Sequence, residues 1–206
     1  MRRWRRWLRA ALLVWQEEGL MGVARYTARR AYLHQGFLLY QRDLSAHEAV
    51  PLPPALTLVR LATPAERNAL LHAREDFAAA SYWEVIQPDA ECYVGLDGYR
   101  IVSVHWLSSN EESNRLVELG PEDFVIGPCV TASTHRGRGV YPAMIRALCA
   151  DRYRKGQRRA YMVVSVHNAA SIRGIEKAGF HCIGRADLRR VAGLQRVVRQ
   201  PITAAP

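Results

Sequence analysis

The residues best suited to chemistry lie in a glycine- and arginine-rich segment from His135 to Pro142, with the sequence HRGRGVYP. The segment stands between two predicted elements, a strand from Phe124 to Thr131 and a helix from Tyr141 to about Tyr153. Glycines at such a junction let the backbone turn tightly, so that its N–H groups and the positive end of the helix dipole face an anion such as a pyrophosphate. Arg136 and Arg138 would add charge-assisted hydrogen bonds to the same phosphates. An ordinary turn with exposed arginines is the alternative for these few residues.

A second segment follows another predicted strand, Ala160 to Val166, and opens a predicted helix from Ala169 to Ala178. Asn168 is placed to cap this helix, and Gly179 is placed to end it. Both are ordinary structural roles. An asparagine amide at the end of a strand can nevertheless cap a helix with one group and meet an amide-rich ligand with the other, so a ligand role stays open for Asn168.

Two familiar phosphate motifs fit this pattern less well. The dinucleotide fingerprint needs a third glycine where Pro142 stands, and the chain has no Gly-Lys-Ser/Thr P-loop. The sequence therefore favours neither a Rossmann cofactor nor a P-loop nucleotide.

Together the two segments resemble the GNAT N-acetyltransferases. That family binds acyl-CoA through an Arg/Gln-x-x-Gly-x-Gly/Ala motif, which the stretch from Arg136 to Tyr141 matches except at its last place. A later block of the family has Asn-x-x-Ser/Ala, a tyrosine four residues on, and then x-Lys-x-Gly-Phe. The stretch from Asn168 to Phe180 matches that block except that Ile175 replaces the tyrosine. The order and spacing agree, and the resemblance extends from about Leu56 to Arg199.

The resemblance implies a central mixed sheet whose fourth and fifth strands splay apart and admit the pantetheine arm of acetyl-CoA or another acyl-CoA. Those two strands are the predicted ones that end at Thr131 and Val166, and residues 129–132 and 162–166 would line the gap. The implied reaction is transfer of the acyl group to an amine by direct attack. The implied cofactor-binding residues are Val130, Thr131, Arg136, Gly137, Arg138, Gly139, Val140, Tyr141, Asn168 and Ser171.

Two departures from the family affect this implied chemistry. At the place of Ile175 many relatives have a tyrosine that protonates the departing CoA thiolate, and isoleucine cannot donate a proton. Tyr141 stands where the motif has a small residue, so its ring must point away from the phosphates. A rival interpretation follows, in which the protein is a non-catalytic acyl-CoA-binding or partner-docking module.

Acyl transfer to an amine also needs a group that accepts a proton, because only the neutral amine is a nucleophile. His167, at the end of the strand before Asn168, is the first candidate for this base. Glu84, Glu91 and His105 are the alternatives, and the sequence does not choose among them.

The other predicted elements complete a mixed α+β pattern, within the α/β class and without internal repeats. Asp97-Gly98 is a strong hairpin signal, because both residue types tolerate positive φ. The polar stretch from Ser108 to Asp123 is predicted as a loop with a short strand at Leu116 to Leu119. The remaining predicted strands are 56–61, 91–96, 100–107, 180–188 and 194–199, and a further helix is predicted over 63–77.

The chain before residue 56 is predicted to be an appendage. Residues 1–44 form a basic amphipathic helical N-terminal extension, and residues 45–55, with three prolines, form a linker to the acyltransferase domain at 56–206. Within the extension we expect helices up to about Leu33 and a strand from Phe37 to Gln41, after Gly36. The net charge of the chain is +10, and nine arginines against three acids place +6 of it in the extension.

Composition limits the class of protein. A hydrophobic fraction of 49% over 206 residues is enough for one packed core. The four cysteines are widely spaced without a Cys-x-x-Cys pair, which argues against a zinc site or a disulfide framework, and no metal is expected. The apolar run from Ala10 to Trp15 is far shorter than the roughly 20 residues that cross a bilayer. We therefore expect a cytoplasmic protein.

The basic extension leaves the choice of anionic partner open. Its tryptophans pack most simply on the domain, but residues 1–19 would also suit an interfacial helix on an anionic membrane, and a mitochondrial transit peptide is a further alternative. No nucleic-acid recognition motif is present, so nucleic acid is not expected as a partner. A homodimer is compatible with the sequence.

Overall fold

A computed structural model of the protein describes residues 32–45, 52, 56–61, 66, 90–109, 116–191 and 194–201. These residues form an eight-stranded mixed sheet with the order β2-β3-β4-β5-β6-β1-β7-β8. Its strands are β1 (Tyr32–Asp43), β2 (Leu56–Leu61), β3 (Glu91–Asp97), β4 (Arg100–Ser108), β5 (Asp123–Thr131), β6 (Arg159–Ser165), β7 (His181–Val191) and β8 (Leu194–Pro201). A 3-10 turn (Ser133–His135) and helix α1 (Val140–Arg154) follow β5, and helix α2 (Ala169–Lys177) follows β6. The mixed α+β class is confirmed.

From Leu56 onward the predicted and observed elements agree closely. β2 has the predicted bounds, and each bound of β3 to β6, α1 and α2 differs from its prediction by at most one residue. The hairpin between β3 and β4 turns at Asp97-Gly98, where Gly98 has a φ of 56°. The predicted helix at 63–77 lies outside the described residues apart from residue 66.

The main core lies between the two helices and one face of the sheet. Alternate residues of each strand point to this face, so the buried apolar positions recur with a period of two. Burying each large side chain here contributes about 1.5–3 kcal/mol relative to leaving it exposed. Its largest members are Tyr40, Tyr93, Leu107, Phe124, Ile126, Ile145, Leu148, Met162, Ile175 and Phe180.

The opposite face of the sheet is covered in part by the segment before β5. Val117 and Leu119 are buried there against Val125 and Tyr161. The predicted short strand at residues 116–119 is wrong, because this segment is a turn followed by irregular chain. Its alternating apolar residues cover the sheet and do not extend it.

β1 lies inside the sheet, between β6 and β7 and antiparallel to both. It is paired with β6 from Phe37–Ser165 to Asp43–Arg159. The predicted strand from Phe37 to Gln41 is confirmed as part of β1, whereas the predicted helix is wrong at residues 32–33, and residues 32–43 belong to the sheet of the domain and not to an appendage. The strand also runs through Gly36, which pairs with Asp187, because neighbouring strands support the backbone on both sides. This enclosure depends on strands formed much later in the chain, so local sequence does not reveal it.

The rest of the extension and most of the predicted linker lie outside the described residues, so their helical and linker structure stays a prediction. Within the described residues, no helix is both long and apolar enough to cross a membrane.

Candidate active site

β5 and β6 are parallel, and they separate about halfway along β5. Their pairing begins at Asp123–Arg159 and stops at Ile126–Met162, four pairs in a nine-residue strand. On its other side β5 continues to pair with β4 as far as Thr131. Beyond Ile126, therefore, one side of β5 faces an opening toward β6. The predicted splay is present in the structure.

A bulge lies where the strands separate. On β4, His105 pairs with Cys129 and Leu107 with Ile126, so Gly127 and Pro128 of β5 face a single residue of β4. Gly127 has a φ of 143°, a backbone conformation that L side chains rarely adopt. Bulges bend a strand and increase its twist, which turns the second half of β5 away from β6.

The backbone groups that face this opening follow from the alternation of the strand. The amide of Ala132 donates to the carbonyl of Val102 on β4 over 2.9 Å. Residues two apart direct their backbone groups to the same side, so Val130 points to β4, whereas Cys129 and Thr131 point to the opening. For Thr131 the predicted cofactor contact stays a prediction. The backbone of Val130 faces β4, and the preceding residue whose backbone faces the opening is Cys129, which was predicted only as part of the wall of the gap.

The glycines of the loop after β5 have the conformation that the sequence analysis expected. Gly137 and Gly139 have φ values of 76° and 75°, in the left-handed region. Among the described residues nothing lies within 4 Å of a Cβ built at either position, so backbone conformation alone selects glycine there. Gly139 is the N-cap of α1, and no described side chain caps the helix or places an acid in its first turn. The first amides of α1 are thus directed at a place suited to an anion.

Two contacts hold this loop against the sheet. The Nε2 atom of His135 lies 3.1 Å from Oδ2 of Asp97 in the β3–β4 hairpin, and its Nδ1 atom lies 2.9 Å from Oγ1 of Thr134. The Nε–H of Arg136 donates to the carbonyl of Thr131 over 3.0 Å. Arg138 is exposed beside them. Sequence order alone does not show that the hairpin turn supports the loop.

Tyr141 turns its ring away from the loop and toward α2. A Cβ built on Gly174 would lie 2.4 Å from Cδ1 of this ring, so glycine is required to admit it. The phenol oxygen is 3.1 Å from Oγ of Ser171, and the ring is stacked on that of His105 with centroids 6.3 Å apart. Burial raises the pKa of the Tyr141 phenol above its ordinary value. The predicted orientation of the ring, away from the phosphates, agrees with this geometry.

The start of α2 combines the two roles considered for Asn168. Its Oδ1 atom accepts a hydrogen bond from the amide of Ser171 over 3.1 Å, which is the predicted cap. Asn168 is exposed at the same edge of the sheet as the glycine loop, so its side-chain N–H₂ points to no buried partner. Ile175, one turn beyond Ser171, is 1% exposed and belongs to the core.

The candidate bases differ widely in their surroundings. His167 is exposed in the turn just after β6, five residues beyond Met162, the last residue paired with β5. His167 lies at the open end of the gap, as does the glycine loop after β5. Its role as the base stays a prediction. Glu91 is ion-paired with Arg60 over 2.6 Å and with Arg152, which gives it a structural role.

His105 is fully buried on β4, and burial lowers its pKa to about 3. It is therefore neutral at ordinary pH and a weak base. Glu84 lies outside the described residues.

These features define a class of protein. Two parallel strands open on one side, backbone amides line the opening, and a glycine loop with an uncapped helix start lies at its mouth. Such an arrangement fits a ligand with a diphosphate at one end and a thin, amide-bearing arm at the other.

The family comparison agrees with this class. Residues 56–180 match the model of the acetyltransferase (GNAT) family, so the chain belongs to the GNAT acetyltransferases, which are acyl-CoA-dependent acyltransferases. No curated protein matches the chain.

Solved structures show the same fold at low sequence identity. A putative GNAT acetyltransferase from Novosphingobium aromaticivorans is 18% identical with a TM-score of 0.51, over 84% of this chain and 69% of its own. A GCN5-related N-acetyltransferase from Sphaerobacter thermophilus is 16% identical with a TM-score of 0.54, over 90% and 59%. A glucosamine N-acetyltransferase region of a fungal multi-domain β-N-acetylglucosaminidase is 12% identical with a TM-score of 0.54, over 82% of this chain and 22% of that one. The chain thus matches only part of each of these proteins.

Proposed function

We propose that the protein transfers an acetyl group from acetyl-CoA to the nitrogen of an amine by direct attack. The observation that carries the proposal is the parting of β5 and β6 after Ile126 and Met162, with the glycine loop at the open end. A gap between two neighbouring strands suits a narrow, extended ligand arm, and the uncapped helix start beside it suits an anion.

Different residues of the site would bind different parts of acetyl-CoA. The amides of residues 138–141 and the charge of Arg138 would hold the diphosphate. The backbone groups of Cys129 and the N–H of Thr131, whose carbonyl already accepts from Arg136, would pair with the amides of the pantetheine arm, much as a neighbouring strand would. The exposed amide of Asn168 would contact the arm from the β6 side.

The chemistry of the acyl-CoA is that of an activated thioester, whose carbonyl carbon accepts the amine nitrogen. Burial raises the pKa of the Cys129 thiol, beside the gap, to about 12. That thiol is therefore protonated at neutral pH and a poor nucleophile, which supports direct attack by the amine over a route through an acyl-cysteine.

The acceptor is the finer part of the proposal. An amino sugar, another small amine and a protein amine are all compatible with a GNAT domain, because acceptor sites are built from variable loops. The fungal neighbour carries a glucosamine N-acetyltransferase region, which gives amino sugars a place in the first panel of acceptors.

Two measurements test the proposal. Calorimetry with acetyl-CoA should show saturable binding to the full chain. A thiol-release assay should then show turnover with at least one member of a panel of amino sugars, polyamines and amino acids. Absence of binding to any CoA thioester would refute the proposal.

A second function is favoured by one observation, the buried Ile175 at the place where relatives carry an acidic phenol. The protein would then bind acyl-CoA without turning it over, as a partner-docking module. Binding without thiol release across the whole panel would support this alternative. Contact of residues 1–19 with an anionic membrane also stays a prediction, which flotation with anionic liposomes tests.

A further inference from the structure

The phenol of Tyr141 crosses from one side of the gap to the other. Its ring extends from α1, stacks on His105 of β4 and packs, as Cys129 of β5 also does, against the main core cluster. Its far end reaches α2, where the hydroxyl meets Ser171 and the ring edge meets Gly174. α2 packs against β6 on the face of the sheet that the helices cover. On that face, here called the helix-side floor, the phenol therefore spans the opening between β5 and β6.

The position along the gap is equally defined. Cys129 follows the bulge at Gly127 and Pro128 directly, and the pairing of β5 with β6 ends just before that bulge. On β4, His105 is the partner of Cys129, so the Tyr141 ring that stacks on His105 is level with the first residue after the bulge. The ring is thus at the inner part of the gap, whereas the amides of its own helix start face the mouth.

Besides Ser171, the described side chains around the phenol offer one further strong donor, the N–H of the neutral His105 imidazole that is stacked on its ring. Ile175 of α2 is apolar and buried, and the Cys129 thiol is a weak donor. The Ser171 hydroxyl already shares a hydrogen bond with Tyr141, and either atom of that pair can be the donor. When Ser171 donates to the phenol oxygen, the phenolic hydrogen is free to point into the gap.

We propose that the Tyr141 hydroxyl donates a hydrogen bond to the sulfur that leaves the acyl group, a role that rests on the function proposed above. Tyr141 and Gly174 then form a matched pair. The glycine leaves room for a phenol that comes from α1. This phenol supplies, next to α2, the hydrogen-bond donor that Ile175 cannot provide.

The transfer balances without an added reagent. The amine nitrogen forms the new C–N bond and gives up one proton to water or to a base. The C–S bond breaks with its electron pair on sulfur, which leaves as a thiolate. Burial holds the pKa of Tyr141 above that of an alkyl thiol, about 8.5, so the proton stays on the phenol and the thiolate is stabilised by the hydrogen bond. The thiolate later takes a proton from solvent, and the products are an amide and CoA.

Free CoA bound to the full chain tests this inference without any acceptor. The ionisation of the bound thiol is followed by its ultraviolet thiolate absorbance, and the complex with desulfo-CoA provides the background from the four cysteines. A donor to the thiolate lowers the pKa of the thiol. Tyr141→Phe keeps the ring on Gly174 and His105 but removes the donor, so its bound thiol should have a pKa about 1–2 units above that of the wild type.

The controls separate this role from a structural one. Tyr153→Phe makes the same change on the same helix, away from the gap, and should leave the thiol pKa unchanged. Ser171→Ala keeps the phenol and should not raise it. If Tyr141→Phe does not fold, 3-fluorotyrosine at position 141, a stronger donor, should lower the thiol pKa below the wild-type value.

The outcomes are distinct. Equal thiol pKa values in wild type and Tyr141→Phe, or no response to fluorotyrosine, would overturn this inference and leave the proposed function intact. If CoA does not bind the wild type in calorimetry, both the inference and the proposed function are wrong.

Discussion

The two sides of β6 carry opposite roles in the same sheet. On one side β1 is paired with β6 along seven residues, from Arg159 to Ser165. On the other side β5 is paired with it along four, from Arg159 to Met162. β6 is therefore straight enough to pair along its whole length, and the opening arises from the bulged β5. The difference shows that β6 keeps its place in the sheet through β1 where β5 leaves it.

The largest expected effect comes from the paired end of β5. Phe124 is fully buried where β5 and β6 still pair, so Phe124→Ala should lower the free energy of unfolding by about 3–5 kcal/mol, through lost burial and the cavity left behind. Chemical denaturation measures this loss. A cost below about 1 kcal/mol would mean that the paired end is not what holds β5 to β6.

The β1 side of β6 should govern stability rather than binding. The buried Tyr40 on β1 donates its hydroxyl hydrogen to Oε1 of Glu176 on α2 over 2.9 Å. Tyr40→Phe removes a hydrogen bond to a carboxylate and should lower the free energy of unfolding by about 1.5–3 kcal/mol, with acetyl-CoA affinity unchanged. Tyr99→Phe, at a fully exposed tyrosine in the hairpin turn, is the matched control and should change neither quantity. A large loss of affinity in Tyr40→Phe would show that the two sides are not independent.

The two ends of α1 offer a paired test of the open side. Gly139 before α1 and Gly156 after it have φ values of 75° and 94°, each without a described atom within 4 Å of a built Cβ. Alanine at either position should cost about 1–2 kcal/mol of stability, because both backbones are left-handed.

Only Gly139→Ala should also weaken acetyl-CoA binding, by about tenfold, because it disturbs the amides that face the diphosphate. Calorimetry on both variants measures the difference. Equal affinities would argue against a phosphate site at the start of α1.

The smallest expected effect is a pH dependence at the far end of α1. Burial tends to raise the pKa of Asp151, but hydrogen bonds from Lys155 over 2.7 Å and from Tyr93 over 3.1 Å outweigh it, and the pKa lies below its ordinary value of 3.8. A lowered folded pKa means that the ionised carboxylate stabilises the fold above about pH 4 and that this contribution is lost as the pH falls further.

The comparison of Asp151→Asn with the wild type measures this contribution. The variant should have a free energy of unfolding lower by under about 1 kcal/mol at neutral pH, since the Asp151–Lys155 pair is partly exposed. This difference from the wild type should become smaller near pH 3. If this difference in the free energy of unfolding does not change with pH, the charge of the Asp151 carboxylate is not its cause.

Much of the fold could be predicted because its signals are local. The Asp97-Gly98 turn and the left-handed Gly137 and Gly139 follow from residue types whose backbone preferences act within a few residues. The cap of α2 by Asn168 is equally local. The conformation of the glycine loop could therefore be predicted from residue types and their spacing alone.

Other features depend on partners distant in sequence. The internal place of β1 requires β6 and β7 on its two sides, and the segment at residues 116–119 is turned away from strand geometry by the sheet face that it covers. The contact of His135 with Asp97 and the entry of Tyr141 over Gly174 join segments that local patterns treat separately.

The sequence by itself determined the family, the glycine loop and the bounds of most strands, because each rests on local backbone preference or on a motif of fixed spacing. Only the tertiary structure decided which backbone groups of β5 face the gap and where the Tyr141 phenol lies. Strand register and side-chain packing set those two features, and both arise from contacts between residues that are far apart in the chain.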